Sequence, residues 1–284
     1  MKIYIVTIVN DLVGVFMSTS YKKFQIINII AIVSTIAMNA LANIIPFNGV
    51  NTGQVADVFF SYFTPAGYVF SIWSIIYTLL IIFIAYQVRS SQVNAEYLGK
   101  IGYMYLINGL FNIGWLLLFH YAVGNTVLLI LTEPLMIGIL ATLLYMYVKL
   151  EIGVKEVPLN LKAAVHLPIS VYVGWISVAT IANTASVLNE FLAIPLDTQY
   201  LWTSLVLVVA LLLAIIMLVM RKDIAYALVV VWASIGIYVK WTTVEIIPLI
   251  FWTALIVAIV VLIAIILVPL ILRKNPVNYY LVRG

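Results

Sequence analysis

The chain has 284 residues, of which 65% are hydrophobic and 8% charged, with a mean hydropathy of +1.20. About a quarter of residues are charged in soluble domains, so the composition excludes a soluble globular protein and leaves a membrane protein. The net charge of +4 does not point to nucleic acid, because basic residues stand singly or in pairs at the ends of apolar stretches, and the absence of cysteine excludes disulfides, thiolate catalysis and Cys-ligated metal.

In chain order, residues 1–23 come first. Ile3 to Val9 and Leu12 to Met17 are apolar, but Asn10 and Asp11 interrupt them and no small-residue cleavage site follows. The segment reads as an interfacial or cytoplasmic piece, or as the product of a mis-chosen start codon. A ninth span would place Lys2 outside.

Eight apolar stretches then follow at 24–46, 66–88, 101–121, 126–148, 163–186, 200–220, 224–241 and 246–272. Each is near the roughly 20 residues that a spanning helix needs, and none shows the alternation of barrel strands. Every backbone amide must be satisfied within a span, so the predicted fold is all-α, a polytopic bundle of eight transmembrane helices. Lys22, Lys23, Arg89, Lys100, Lys149, Lys155, Lys162, Arg221, Lys222, Arg273, Lys274 and Arg283 fall on one side of the zigzag. The other side holds Lys240 with Asp57, Glu190, Asp197 and Glu245. The excess of positive charge predicts a cytoplasmic-membrane protein with both termini in the cytoplasm.

Between the first two spans, Phe47 to Thr64 is rich in Asn, Gly and Thr and carries no positive residue. Its length suits a lid or a plain solvated connector. Thr64 and Pro65 predict a helix start, an N-cap followed by proline at the first helical position.

Polar and aromatic residues recur at helical spacing in three spans. Phe70, Trp73 and Tyr77 share a face of the second; Asn108, Asn112, Trp115 and Phe119 share one of the third; Tyr172, Trp175, Ala179 and Asn183 share one of the fifth. These stripes either line a common interior or pack as core, with the asparagines bonding across helices. The fifth span is the most polar, with His166, Ser170, Gly174, Ser177 and Thr184, and is predicted to be central. In the fourth, Glu133 stands well inside the span beside Pro134. It is a candidate proton carrier or substrate anchor, or is held by a neighbouring hydroxyl. His120 reads as an interfacial polar residue at the rim. Phosphate-binding loops, nucleophile elbows and helical zinc signatures are missing, which disfavours familiar enzymology.

Phe63-Thr-Pro-Ala-Gly-Tyr-Val-Phe-Ser-Ile-Trp-Ser-Ile-Ile-Tyr77 resembles the second-helix signature of the TspO/MBR family, the tryptophan-rich sensory proteins related to the mitochondrial translocator protein. Asn112-x-x-Trp115-x-x-x-Phe119 resembles its third-helix motif, and Tyr172-x-x-Trp175-x-x-x-Ala179-Thr180-x-x-Asn183 its fifth. The resemblance covers residues 24–190, a five-helix core, and leaves 191–284 as three additional helices with a cytoplasmic tail. It implies a pocket within the core for a porphyrin, another tetrapyrrole or a lipid-like molecule, closed by the loop after the first helix. No cofactor is required and no protein ligand to a metal is implied.

By position, Trp73, Tyr77, Asn112, Trp115, Phe119, Tyr172, Trp175, Ala179 and Asn183 would line that pocket, with Pro65 and Phe70 at its mouth. Trp73 and Trp175 would stack on the ligand, and Asn112 and Asn183 would orient its polar edge. The chain has Pro65-Ala66 where the family has two prolines, and Val171-Tyr172 where it has Pro-Tyr. Pro168 stands about one turn earlier, which moves the expected kink. The expected partners are membrane lipid and a hydrophobic small molecule, with a homodimer among the options for the aliphatic last three spans. Two other roles stay open: a small-solute transporter using Glu133, and an enzyme degrading a bound tetrapyrrole with Trp73 or Trp175 as the redox-active ring.

Overall fold

Long apolar runs in lipid have no water to satisfy their amides, so each closes its hydrogen bonds along its own helix. The computed structural model describes residues 21–45, 47–59, 61–192, 194–272, 274–275 and 279–280. The expectations for residues 1–20, and for Arg273 and Arg283, lie outside them. The described residues form α1 (Lys22–Ile44), α2 (Thr52–Val58), α3 (Ile72–Gln87), α4 (Glu96–Ile101) and α5 (Met104–Tyr121). They continue through α6 (Thr126–Lys149), α7 (Leu167–Leu192), α8 (Leu196–Arg221), α9 (Ile224–Thr243) and α10 (Pro248–Ile271), and no strand occurs among them.

Among the described residues, 7 helices are long and apolar enough to cross a membrane. The remaining predicted span, α5, is a continuous helix of 18 residues. Asn108, Asn112 and His120 are buried along it, and it packs between α1 and α6. The all-α membrane bundle expected from composition is therefore present.

Three local features differ from the simplest reading of the sequence. Thr64 does not cap the second span: a 3-10 turn at Gly67–Ser71 precedes α3, because the Ala66 amide donates to the Gly236 carbonyl of α9 at 3.1 Å. Before α5, Gly102 at φ 55 breaks the helix, a conformation that glycine adopts without steric cost. Ahead of Pro168 the chain makes a π-turn over Lys162–His166. Proline lacks an amide hydrogen and crowds the carbonyl one turn back, and the wider turn accommodates both. Pro134, by contrast, leaves α6 continuous.

The central position predicted for the fifth span holds, since α7 packs against α3, α6 and α9 and its 34-residue span has 72% of its apolar window buried. The basic ends of the helices meet. Lys100 Nζ lies 3.0 Å from Glu96 and 3.5 Å from Glu151, and the Lys162 ammonium bonds the Tyr280 carbonyl. These contacts pull the Lys100 ammonium above its ordinary pKa, chiefly through its bond to Glu96, whose carboxyl is lowered by the same bond.

The last three helices are not a separate layer. Trp232 Nε1 donates to the Val69 carbonyl at 3.0 Å, and Trp241 Nε1 to the Tyr62 carbonyl at 2.8 Å, so α9 grips the segment leading into α3. Gly236 lies between them, and a Cβ there would sit 2.1 Å from Val69 Cγ2. At the basic end Tyr147 of α6 donates to Asp223 at 2.8 Å, and the same carboxylate caps α9 through the Tyr226 amide.

Candidate functional site

A cavity of about 70 Å³ lies at the end of the bundle opposite the basic ends, beneath the loop that follows α1. Its aromatic wall comes from three helices: Phe70 and Trp73 lead into and begin α3, Trp115 and Phe119 belong to α5, and Trp175 to α7. Trp73 meets Trp175 edge to face with centroids 6.2 Å apart, and Trp115 stacks on Phe119 at 4.8 Å. Edge-to-face and offset stacks of this kind are the favourable arrangements of aromatic quadrupoles.

Asn112, Ala179 and Asn183 complete the inner wall, and Thr52, Ala56, Thr64 and Pro65 close the outer one. Tyr77 and Tyr172 do not reach the cavity. They lie behind Trp73, Tyr77 stacked on it at 5.5 Å and Tyr172 edge-on at 5.9 Å. Tyr77 is one turn further along α3 from the lid, so the cavity ends at Trp73 and the tyrosines support it. The other predicted residues, Pro65, Phe70, Trp73, Asn112, Trp115, Phe119, Trp175, Ala179 and Asn183, are brought together.

The amides expected to orient a ligand are engaged in joining helices. Asn39 Nδ2 donates to Asn112 Oδ1 at 2.7 Å, and Asn112 Nδ2 donates to the Tyr172 hydroxyl at 3.2 Å, linking α1, α5 and α7. Asn183 Oδ1 accepts from Trp115 Nε1 and from Thr132 Oγ1, each at 3.1 Å, while its Nδ2 donates to Glu133 Oε2 at 2.6 Å. Thr184 Oγ1 lies 2.5 Å from Glu133 Oε1. With no water in the bilayer interior, these groups are satisfied by one another. Among the described residues that line the cavity, Trp175 instead carries a buried indole N–H without a partner, on a residue that is 2% exposed.

Sequence reasoning missed what holds the lid. His120 is fully buried: its Nε2 lies 3.0 Å from Thr52 Oγ1 and its Nδ1 3.3 Å from the Phe47 carbonyl. Phe47 also meets the imidazole edge to face at 5.6 Å. The lid helix α2 starts with a reciprocal capping box between Asn51 and Gln54, and Ser186 of α7 donates to the Phe59 carbonyl at 3.1 Å. The Asn-x-x-Gln spacing was the one local signal of this helix. The His120 pairing, across 68 positions, leaves no local trace.

A family model described as TSPO-like protein matches residues 25–267. No curated protein and no solved structure matches the chain. The matched span runs from α1 into α10, so it takes in the last three helices as well as the five-helix core. The cavity, its lid and the gripping α9 thus all fall inside the matched region, and the chain belongs to the TSPO-like protein family.

Proposed function

We propose that this membrane protein binds a flat hydrophobic ligand, a tetrapyrrole or a lipid-like molecule, in the aromatic cavity beneath the lid, in a sensory or transport role. The observation that carries the reading is the unpartnered Trp175 Nε1 on the cavity's aromatic wall. A buried indole N–H without an acceptor is costly, and a ligand carboxylate or carbonyl would supply one. Protoporphyrin offers a flat aromatic face for Trp73 and Trp175 and carboxylates for that N–H.

The cavity of about 70 Å³ is far below the roughly 300–1,000 Å³ of sites that enclose drug-sized ligands. In this reading entry requires the lid to lift from His120 and Ser186, and a closed lid accounts for the small cavity. We place the basic ends in the cytoplasm by the positive-inside rule, which puts the lid on the opposite face of the cell membrane. The reading is tested by titrating the purified protein with protoporphyrin and following its absorption band. A saturable shift supports it; a linear, non-saturating change contradicts it.

A second reading, transport of a small solute, is favoured by Glu133. Its carboxylate bonds Asn183 and Thr184, neighbours that line two different cavities. Proton-driven solute uptake into proteoliposomes, lost in Glu133→Gln while porphyrin titration is unchanged, would place transport first. Uptake equal to empty vesicles would remove this reading.

A further inference from the structure

We infer that a second cavity, between α7 and α8, is a binding site for a neutral single-chain amphiphile whose head group donates a hydrogen bond. The cavity encloses about 410 Å³, within the range of built small-molecule sites, and it is separate from the aromatic cavity beneath the lid. It runs from Thr180 to Leu192 on α7 and from Gln199 to Val206 on α8. At 1.5 Å per residue these stretches are roughly 18 and 10 Å long, a depth suited to a length of hydrocarbon chain.

Its rim opens toward lipid, since Leu188, Leu192 and Trp202 are 42%, 56% and 57% exposed. Hydrocarbon is therefore the medium that meets the opening. Among the described residues none that lines it is charged, and the exposed carboxylates Glu190 and Asp197, one and two positions from the lining Asn189 and Gln199, disfavour an anionic head.

The polar atoms specify the head. Deep in the cavity the hydroxyls are engaged: Thr180 Oγ1 donates to the Ile176 carbonyl at 2.7 Å, and Thr184 Oγ1 is bonded to Glu133. At the mouth, Gln199 Nε2 donates to the Ile194 carbonyl at 2.6 Å while Gln199 Oε1 is buried without a partner. That oxygen accepts only, so its complement is a hydroxyl or amide hydrogen. A choline head has none to offer.

The test is native mass spectrometry of the full chain in detergent, titrated with monoolein and, as a probe with the same chain and no hydroxyl, methyl oleate. Wild type is expected to retain a single monoolein saturably and to prefer it roughly fivefold over methyl oleate, the effect of one hydrogen bond. Ala185→Phe, which fills the cavity, should lower retention of both about tenfold or more. Gln199→Leu should abolish only the preference.

Leu205→Phe, on the exposed face of α8, and the Trp73→Leu, Trp175→Leu double variant should behave as wild type, so the result does not depend on the porphyrin reading. Retention that is non-saturable, or unchanged in both Ala185→Phe and Gln199→Leu, would overturn the inference. So would equal affinity of wild type for the two probes.

Discussion

Trp115 Nε1 donates to Asn183 Oδ1 across 3.1 Å, joining α5 to α7 at the wall of the aromatic cavity. Asn183 is the hub of that contact. It also accepts from Thr132 and donates to Glu133, both on α6, so three helices depend on one amide.

Asn183→Leu leaves Trp115 Nε1 and the Glu133 carboxylate without this partner in a buried setting. The expected cost is about 1–3 kcal/mol. Trp115→Phe removes a single donor and should cost less, near the roughly 0.6 kcal/mol average for hydrogen bonds in membrane proteins plus some lost packing. Denaturation midpoints in mixed micelles would order the variants wild type, Trp115→Phe, Asn183→Leu. The reverse order would contradict the hub.

Gly236 permits α9 to approach Pro65 and Val69. An added methyl would meet Val69 Cγ2 at 2.1 Å and Pro65 Cβ at 3.0 Å, with the Trp232 bond to Val69 holding the segment in place. Gly236→Ala should destabilise by about 1–3 kcal/mol, the usual cost of overpacking. The control is Gly114→Ala, whose nearest contact is the Leu135 side chain at 3.3 Å. There the gain in helix propensity, up to about 1 kcal/mol, should leave stability unchanged or raised. Thermal unfolding of both variants checks the contrast.

In the proposed reading the contact between Thr52 and His120 sets the rate of ligand entry. Thr52→Val removes the hydroxyl beside His120 Nε2 and favours the open form by about 1 kcal/mol, the worth of one hydrogen bond. Stopped-flow mixing with protoporphyrin should show association roughly fivefold faster. An unchanged rate would mean that entry does not pass beneath α2.

The sequence made the helical spans legible because length and apolarity alone determine them, and the stripes through Trp73, Trp115 and Trp175 because helical periodicity preserves a face. What it obscured are relations between distant segments. His120 read as a rim residue since nothing nearby shows that Phe47 and Thr52 fold back onto it. Trp232, Gly236 and Trp241 stood in aliphatic stretches, and their partners lie in the segment leading into α3, as much as 179 positions away. The Ala66 bond to Gly236 delayed the start of α3. Tyr77 and Tyr172 share the predicted faces but stand behind Trp73, because a face has depth along the helix that spacing alone does not supply.

The most direct measurement is equilibrium tryptophan quenching by protoporphyrin in wild type, in the Trp73→Leu, Trp175→Leu double variant and in Trp252→Leu. Trp252 is 55% exposed on α10 and does not line the aromatic cavity. Saturable micromolar-range binding, typical of about 8 kcal/mol, retained in Trp252→Leu and lost in the double variant, is the predicted result. Absence of saturable quenching in wild type, or equal binding by all three proteins, would contradict a ligand site in the aromatic cavity.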